Sequence, residues 1–324
     1  MKIAVTFSCT KAQEHKLEDA CKKYGAELFF LTRFVSEAEK RKLLTSADII
    51  LGEPDMDVIY ENPNLKWIQM TWAGTDKYTL KQEKPFPEYI ELTNMSGAFG
   101  MIMSEYAIGA ILQVYRHFDT YREQQKQGLW QDAGAEECLY GKRVLLLGTG
   151  DIGSSLALKC KAFGMETVGL RRQATIKPQG VDEVYTLEEI DKELPKADIV
   201  AASLPNKPNT RHLLTKERLF SMKPEAVLLN MGRGTLLEAD ELAEVLQKGH
   251  LRAAILDVTN PEPLPKEHPL WLCERAYITP HIAGPSFGHC PVTQEFIIDS
   301  CIKNMERYFT GKSLLHKIER ADFE

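Results

Sequence analysis

Three residues of different chemistry each follow a short apolar run in the second half of the chain. Arg233 lies in Asn230-Met-Gly-Arg-Gly, a glycine-rich turn after the run Ala226–Asn230. Its guanidinium fork suits a bidentate grip on a carboxylate and polarisation of a neighbouring carbonyl. Glu262 sits between prolines in Asn260-Pro-Glu-Pro, where the rings stiffen the loop and suit a fixed side chain. His281 follows Ala276–Thr279 and, alone among the eight histidines, combines a strand end, a following Gly-Pro turn and a candidate carboxylate partner. Imidazole titrates near neutral pH, and a carboxylate beside it favours the cationic form and orients the ring. Taken singly, the arginine and the glutamate also fit solvated surface charges and the histidine a structural role. Together they make an acid catalyst with a substrate anchor, as hydride transfer to a ketone requires for its developing alkoxide.

Such residues need a cofactor, and the stretch Lys142-Arg-Val-Leu-Leu-Leu-Gly148-Thr-Gly150-Asp151-Ile152-Gly153 supplies the context for one. An apolar strand runs into G-x-G-x-x-G and then an amphipathic segment, the pattern of a dinucleotide site. The first glycine allows the tight turn, the second lets the backbone approach a pyrophosphate, and the third lets helix pack on strand. Gly153 is followed by Ser154-Ser155, and without Gly-Lys-Ser/Thr a phosphate-loop NTPase is disfavoured. Where an NAD site usually presents Asp or Glu to the ribose, this chain has Leu170-Arg171-Arg172-Gln173. No carboxylate repels a 2′-phosphate there and two guanidiniums can grip one, so NADP(H) is favoured over NAD(H), which remains open.

The elements that must position these residues follow from apolar periodicity. Strand-length runs at Ile3–Phe7, Glu27–Leu31, Asp48–Gly52, Trp67–Thr71 and Ile90–Thr93 alternate with helical patterns, as in a small α/β unit with a parallel sheet. From Met101 to about Gln127 only Gly109 interrupts an apolar helical repeat, which predicts one long helix. The second unit repeats the alternation through Glu166–Leu170, Asp198–Ser203, Ala226–Asn230, Ala253–Val258 and Ala276–Thr279. A final helix from about Thr293 to Phe309 is expected to return to the first unit. That gives a discontinuous substrate domain, residues 1–98 plus 286–324, and a dinucleotide-binding domain, residues 99–285.

Composition limits the alternatives. The 324 residues allow two domains, and 44% apolar with 27% charged residues describes a globular protein. A net charge of -6 with scattered basic residues argues against a nucleic-acid partner. The start MKIAVTFSCT reads as a first strand and not a signal peptide, and no apolar run approaches a membrane span. Seven dispersed cysteines with no C-x-x-C suit a reducing compartment, give no zinc spacing, and point to a cytoplasmic protein without a metal. Cys273 and Cys290, near the histidine motif, are read as inert thiols. Trp72 and Trp130 fit either a pocket wall or plain packing.

Over nearly its whole length the chain resembles the D-isomer-specific 2-hydroxyacid dehydrogenases. Trp72-Ala-Gly-Thr-Asp76, Ser104-Glu105, GTGDIG, Ser203-Leu204-Pro205, NMGRG, LDVTNPEPLP and TPHIAG occur in family order. The resemblance implies that Arg233, Glu262 and His281 are the catalytic trio and that Asp257 meets the nicotinamide carboxamide. It also implies that the backbone of Ala73 and Gly74, beside Trp72, cradles the substrate carboxylate. By the same resemblance Leu204 and Pro205 are expected to join the glycine loop as cofactor contacts. The Leu-Arg-Arg element and the EPLP-x-x-HPLW run resemble the glyoxylate and hydroxypyruvate reductase branch, implying reduction of a small 2-keto acid to the D-2-hydroxy acid. A homodimer follows from the same likeness, with the long helix and the segment around Trp130 near its interface. The implied fold is α/β, two doubly wound parallel-sheet domains, with a Rossmann domain inserted into a flavodoxin-like one.

Departures from the family pattern narrow the chemistry. Formate enzymes have Gln in place of Glu262, and phosphite enzymes have Lys in place of Ala73. Roughly forty residues follow His281, too few for the extra domain of regulatory phosphoglycerate dehydrogenases. Pro285-Ser286-Phe287 is unusual after the histidine motif. Two alternatives stay open: a dehydrogenase for a larger keto acid, and a nicotinamide-sensing, corepressor-like binding protein.

Overall fold

The computed structural model describes residues 1–34, 36–285 and 287–323. The chain divides into two compact units, Met1–Ala98 with Pro285–Glu324, and Phe99–Gly284. Ser286, in the segment that returns to the first unit, lies outside the described residues.

The first unit holds five strands, β1 (Lys2–Val5), β2 (Glu27–Phe30), β3 (Ile49–Leu51), β4 (Trp67–Gln69) and β5 (Glu91–Thr93). They form one parallel sheet in the order β2-β1-β3-β4-β5, the flavodoxin-like arrangement. β3 and β4 are buried throughout, as strands inside a parallel sheet covered on both faces are, while the edge strand β2 buries only Phe30 fully. One face packs Ala4, Ile50, Ile68 and Leu92 against Ile59, Tyr78 and Phe86. The helix Lys11–Lys22 starts at a capping box in which Thr10 and Gln13 satisfy each other's backbone N–H groups.

The returning helix, Pro291–Phe309, closes this discontinuous unit. Tyr308 stacks on Trp67 at 5.3 Å, and Asn304 Nδ2 donates to the buried Gln69 Oε1 at 2.7 Å. Ile318 N–H then donates to Leu92 O, so the chain's end lies along β5. Phe287, beside the unusual Pro285, stacks on Phe7 at 4.2 Å.

In the second unit seven strands run parallel: β6 (Arg143–Leu147), β7 (Glu166–Leu170), β8 (Glu183–Tyr185), β9 (Ile199–Ala202), β10 (Val227–Asn230), β11 (Ala253–Leu256) and β12 (Ala276–Ile278). Their order, β12-β11-β10-β9-β6-β7-β8, is the doubly wound dinucleotide-binding order with one strand added. It reverses between β6 and β9, so the glycine loop after β6 and Ser203-Leu204 after β9 share the switch point where such sheets bind ligands. The strand β8 was not anticipated, since three edge residues, Glu-Val-Tyr, carry too short an alternation.

The single long helix expected from Met101 to Gln127 is two helices, Gly100–Tyr115 and Phe118–Lys126. His117 between them has φ +51°, a left-handed conformation that ends an α-helix without glycine or proline. A segment distant in sequence supplies the compensation. Glu137 N–H donates to Tyr115 O, the His117 ring meets Ala135 O at 3.0 Å, and Arg116 pairs with Glu136. Apolar periodicity reports which face is buried and is blind to such a break.

Candidate active site

The glycine loop joins β6 to the helix Asp151–Ala162. Gly148 adopts φ +98°, a region that favours glycine. A Cβ on Gly153 would lie 2.0 Å from Gly148 O, so only glycine lets the helix approach the loop this closely. Around Gly150, by contrast, a Cβ would meet nothing within 4 Å, and this open side faces away from the packed protein. The helix N-terminus there, at Asp151, Ile152 and Gly153, brings N–H groups without intrahelical partners. Thr149 Oγ1 is buried without a hydrogen-bond partner among the described residues. The cradle thus fits a dinucleotide pyrophosphate. The Asp151 carboxylate is engaged within the protein, accepting from Gly100 N–H at 2.8 Å, so only its backbone is offered to a ligand.

At the neighbouring strand ends Leu204 is nearly buried, 3.3 Å from a Cβ placed on Gly148, and Pro205 O accepts from Thr210 Oγ1 at 2.6 Å. Arg171 and Arg172 follow β7. Arg171 is half-buried, its Nη1 donating to Ile176 O at 3.0 Å, and Arg172 is exposed. Leu170 O, just before them, accepts from Gly148 N–H at 2.9 Å, which keeps the arginines at the glycine-loop end of the sheet.

The catalytic candidates come from three loops of this unit. Arg233 follows β10, where Asn230 braces the turn: its amide donates to Arg233 O at 3.0 Å and its Oδ1 accepts from Gly232 N–H at 3.1 Å. The half-buried Arg233 guanidinium donates to Gly232 O at 2.8 Å. Next in sequence, Gly234 abuts Thr259, where a Cβ would fall 2.0 Å from the Thr259 carbonyl. That close approach joins the arginine turn to the loop carrying Glu262, which lies between the cis peptides Asn260–Pro261 and Glu262–Pro263. His281 Nδ1 and Glu262 Oε1 are 2.6 Å apart, with both side chains about half exposed. Against an ionised carboxylate, which can only accept, Nδ1 is the donor of this pair, and Nε2 is the ring's other nitrogen.

Asp257 has a structural part that the sequence did not reveal. It is 1% exposed, and its carboxylate accepts from Thr279 Oγ1 at 2.7 Å, Ile282 N–H at 2.8 Å and Ala283 N–H at 2.9 Å. Its main-chain carbonyl accepts from His281 N–H at 2.9 Å. The histidine loop is therefore wrapped around this residue, and His281 itself has φ +54°. Thr279 in turn meets Tyr106 Oη at 2.6 Å. The Thr279-Pro-His281 motif marked the loop but gave no sign that a tyrosine more than 170 residues earlier touches it.

Trp72, Ala73 and Gly74 belong to the turn after β4 in the first unit. Trp72 is 48% exposed, Ala73 O accepts from Asn94 Nδ2 at 2.6 Å, and the Glu53 carboxylate accepts from Thr71 N–H and its hydroxyl. Burial holds the Glu53 carboxyl above its ordinary range despite those donors. Trp130 is fully exposed beside Leu129, so it is no part of a packed wall in the isolated chain. All seven cysteines are free, and among the described residues no group of His, Cys, Asp and Glu is arranged to hold a metal and no helix is long and apolar enough to cross a membrane.

The fold and the glycine loop define a two-domain dinucleotide-binding α/β protein. Residues 108–283 match the NAD-binding domain of the D-isomer specific 2-hydroxyacid dehydrogenases. The chain is 31% identical over 253 residues to a glyoxylate/hydroxypyruvate reductase A of Serratia proteamaculans, covering 76% of this chain and 79% of that one. It is 32% identical over 231 residues to a D-3-phosphoglycerate dehydrogenase of Methanocaldococcus jannaschii, covering 69% of this chain but 43% of the relative. A crystal structure of a D-isomer specific 2-hydroxyacid dehydrogenase family protein from Aeromonas salmonicida superposes with a TM-score of 0.87 at 32% identity, over 98% of both chains. The chain belongs to the D-isomer specific 2-hydroxyacid dehydrogenase family, and is an oxidoreductase with a nicotinamide-dinucleotide-binding domain.

Proposed function

We propose that this protein reduces a small 2-keto acid, such as glyoxylate or hydroxypyruvate, to the D-2-hydroxy acid with NADPH. The observation that carries the reading is the 2.6 Å pair of His281 Nδ1 and Glu262 Oε1, joined through one loop to the Arg233 turn. When bound, the reduced nicotinamide supplies the hydride. Arg233 binds the substrate carboxylate and polarises its ketone. His281 gives a proton from Nε2 to the ketone oxygen, and Glu262 orients the ring and offsets its charge as imidazolium. Gly148, Gly150, Asp151, Ile152, Gly153, Leu204 and Pro205 hold the cofactor, with Asp257 toward its carboxamide. Backbone of Ala73 and Gly74, with Trp72, contacts the acid.

The small-acid assignment draws on the likeness to the Serratia reductase and on the resemblance of the EPLP-x-x-HPLW run to that branch. Preference for NADP(H) draws on Arg171 and Arg172 at a strand end that has no acid, and NAD(H) is the secondary cofactor. In this reading the protein works as a cytoplasmic homodimer, through the face where Phe118, Leu129 and Trp130 are exposed. No nucleic acid or membrane takes part.

The test is loss of reduced-nicotinamide absorbance with glyoxylate, hydroxypyruvate, pyruvate and phenylpyruvate, each with NADPH and NADH. Fast turnover of the small acids with NADPH is expected, and silence with every pair would overturn the proposal. Replacing Arg171 with Ala and Arg172 with Asp should weaken NADPH at least about tenfold more than NADH, since each lost charge-assisted contact is worth about 1.5–3 kcal/mol. Equal weakening would remove the 2′-phosphate argument.

A further inference from the structure

We propose that Tyr106 and Thr279 are positioning residues for the proton donor, holding Asp257, and through it the His281 loop, by a chain of directed hydroxyl hydrogen bonds. The inference rests on the reading of His281 as that donor. Its direction follows from counting protons. Asp257 accepts Ile282 N–H and Ala283 N–H as a buried carboxylate, so its 2.7 Å contact with Thr279 Oγ1 must use the threonine's only hydroxyl proton. Thr279 can then only accept at its 2.6 Å contact with Tyr106, which makes the phenol the donor. Burial and the nearby Asp257 charge hold the Tyr106 phenol above its ordinary range, outweighing the Thr279 contact, so it stays protonated as a donor must.

A packing tyrosine would need no such order. Tyr106 is half-buried on the helix Gly100–Tyr115, and a phenylalanine would fill the same space. The hydroxyl instead terminates a chain that leads from this helix, through Thr279 and Asp257, to the backbone N–H groups of the two residues after His281. His281 needs that support because its φ of +54° is unfavourable for a side chain bearing Cβ, and the Asp257 bonds are what hold Ile282 and Ala283 in the reversed turn. Without the Thr279 donor, one of three hydrogen bonds to a carboxylate that is 1% exposed is lost, and the carboxylate is freed to rotate away from the two loop amides. The imidazole then spends less time aligned for transfer, so turnover falls while the substrate still binds.

The experiment compares Thr279→Val, Thr279→Ser and Tyr106→Phe, measuring kcat, KM for the keto acid, NADPH affinity by fluorescence, and melting temperature. Thr279→Val should lower kcat by about 10- to 100-fold with KM for the keto acid within about threefold of wild type. Thr279→Ser should restore kcat, and Tyr106→Phe should cost about two- to fivefold, an effect absent in the Thr279→Val background. Each change is also made with His281→Ala. If Thr279 acts through His281, Thr279→Val costs nothing further there, whereas a general structural lesion would cost the same in both backgrounds. Equal kcat for Val and Ser, or full additivity with His281→Ala, overturns the proposal. Retention of wild-type kcat by His281→Ala alone would instead overturn the reading of His281 and with it this inference.

Discussion

Substitution of Glu262 tests the centre of the proposed mechanism. In Glu262→Gln the side chain keeps its length and a carbonyl oxygen able to accept from His281 Nδ1, so what disappears is the charge. A hydrogen bond to a charged group contributes about 1.5–3 kcal/mol and a neutral one about 0.5–1.5. Their difference is about 1–1.5 kcal/mol. The pair is 50% and 43% exposed, and solvent screening takes the effect toward the lower end. At about 1.4 kcal/mol per decade, kcat should fall roughly five- to tenfold in Glu262→Gln. In Glu262→Ala the orienting acceptor is gone as well, and a loss of about 10- to 100-fold is expected. Steady-state reduction of the preferred keto acid supplies kcat and KM, and cofactor titration supplies the NADPH affinity, which neither change should move more than about twofold. The reasoning fails if Glu262→Ala keeps wild-type kcat, or if Gln and Ala lose equally while cofactor affinity collapses in both.

Other consequences follow from the packing. Gly153→Ala puts a methyl 2.0 Å from Gly148 O; overpacking costs about 1–3 kcal/mol or more, so the variant should melt lower and lose cofactor affinity, and unchanged binding would contradict the loop geometry. Burial pushes Glu193 up, but Lys196 and Arg143 outweigh it and hold the carboxyl below its usual range. Because the folded value is depressed, its stabilisation is complete above the unfolded carboxyl range near about pH 4 and is lost as pH falls through the folded value. Glu193→Gln should therefore destabilise at pH 7 by about 1–2 kcal/mol in urea unfolding, and the gap to wild type should shrink in acid; a gap that widens there refutes the pairing. Burial pushes the Cys160 thiol up to about 12 and, with Glu18 adding to burial, Cys21 up to about 11, so in the native protein a thiol reagent should label exposed Cys138 long before either. Early labelling of Cys160 by mass spectrometry would show that its surroundings open.

The local chemistry of this chain was legible without coordinates because it depends on neighbours in sequence. A glycine pattern after an apolar strand dictates a phosphate cradle, since φ +98° at Gly148 and the contact of Gly153 with Gly148 O are local steric requirements. Buried parallel strands announce themselves as apolar runs, so the two sheets could be read from their Ile, Leu and Val content. Arg233, Glu262 and His281 were selected by residue type at strand ends, where parallel sheets gather side chains from distant segments.

What required the tertiary structure is whatever depends on segments far apart in the chain. The helix break at His117 is held by Ala135–Glu137, and no local breaker marks it. β8 pairs only as an edge, with too few residues to show a period. The sequence offered Asp257 only as a cofactor contact implied by resemblance, and the bonds from Thr279, Ile282 and Ala283 to its oxygens came from the fold. The contact of Tyr106 with Thr279 spans 173 positions and exists because the helix Gly100–Tyr115 lies against the sheet. Residue type and spacing thus determined which groups can do chemistry, and the fold decided which hydrogen bonds hold them still, because a buried polar group takes its partners from space and not from sequence.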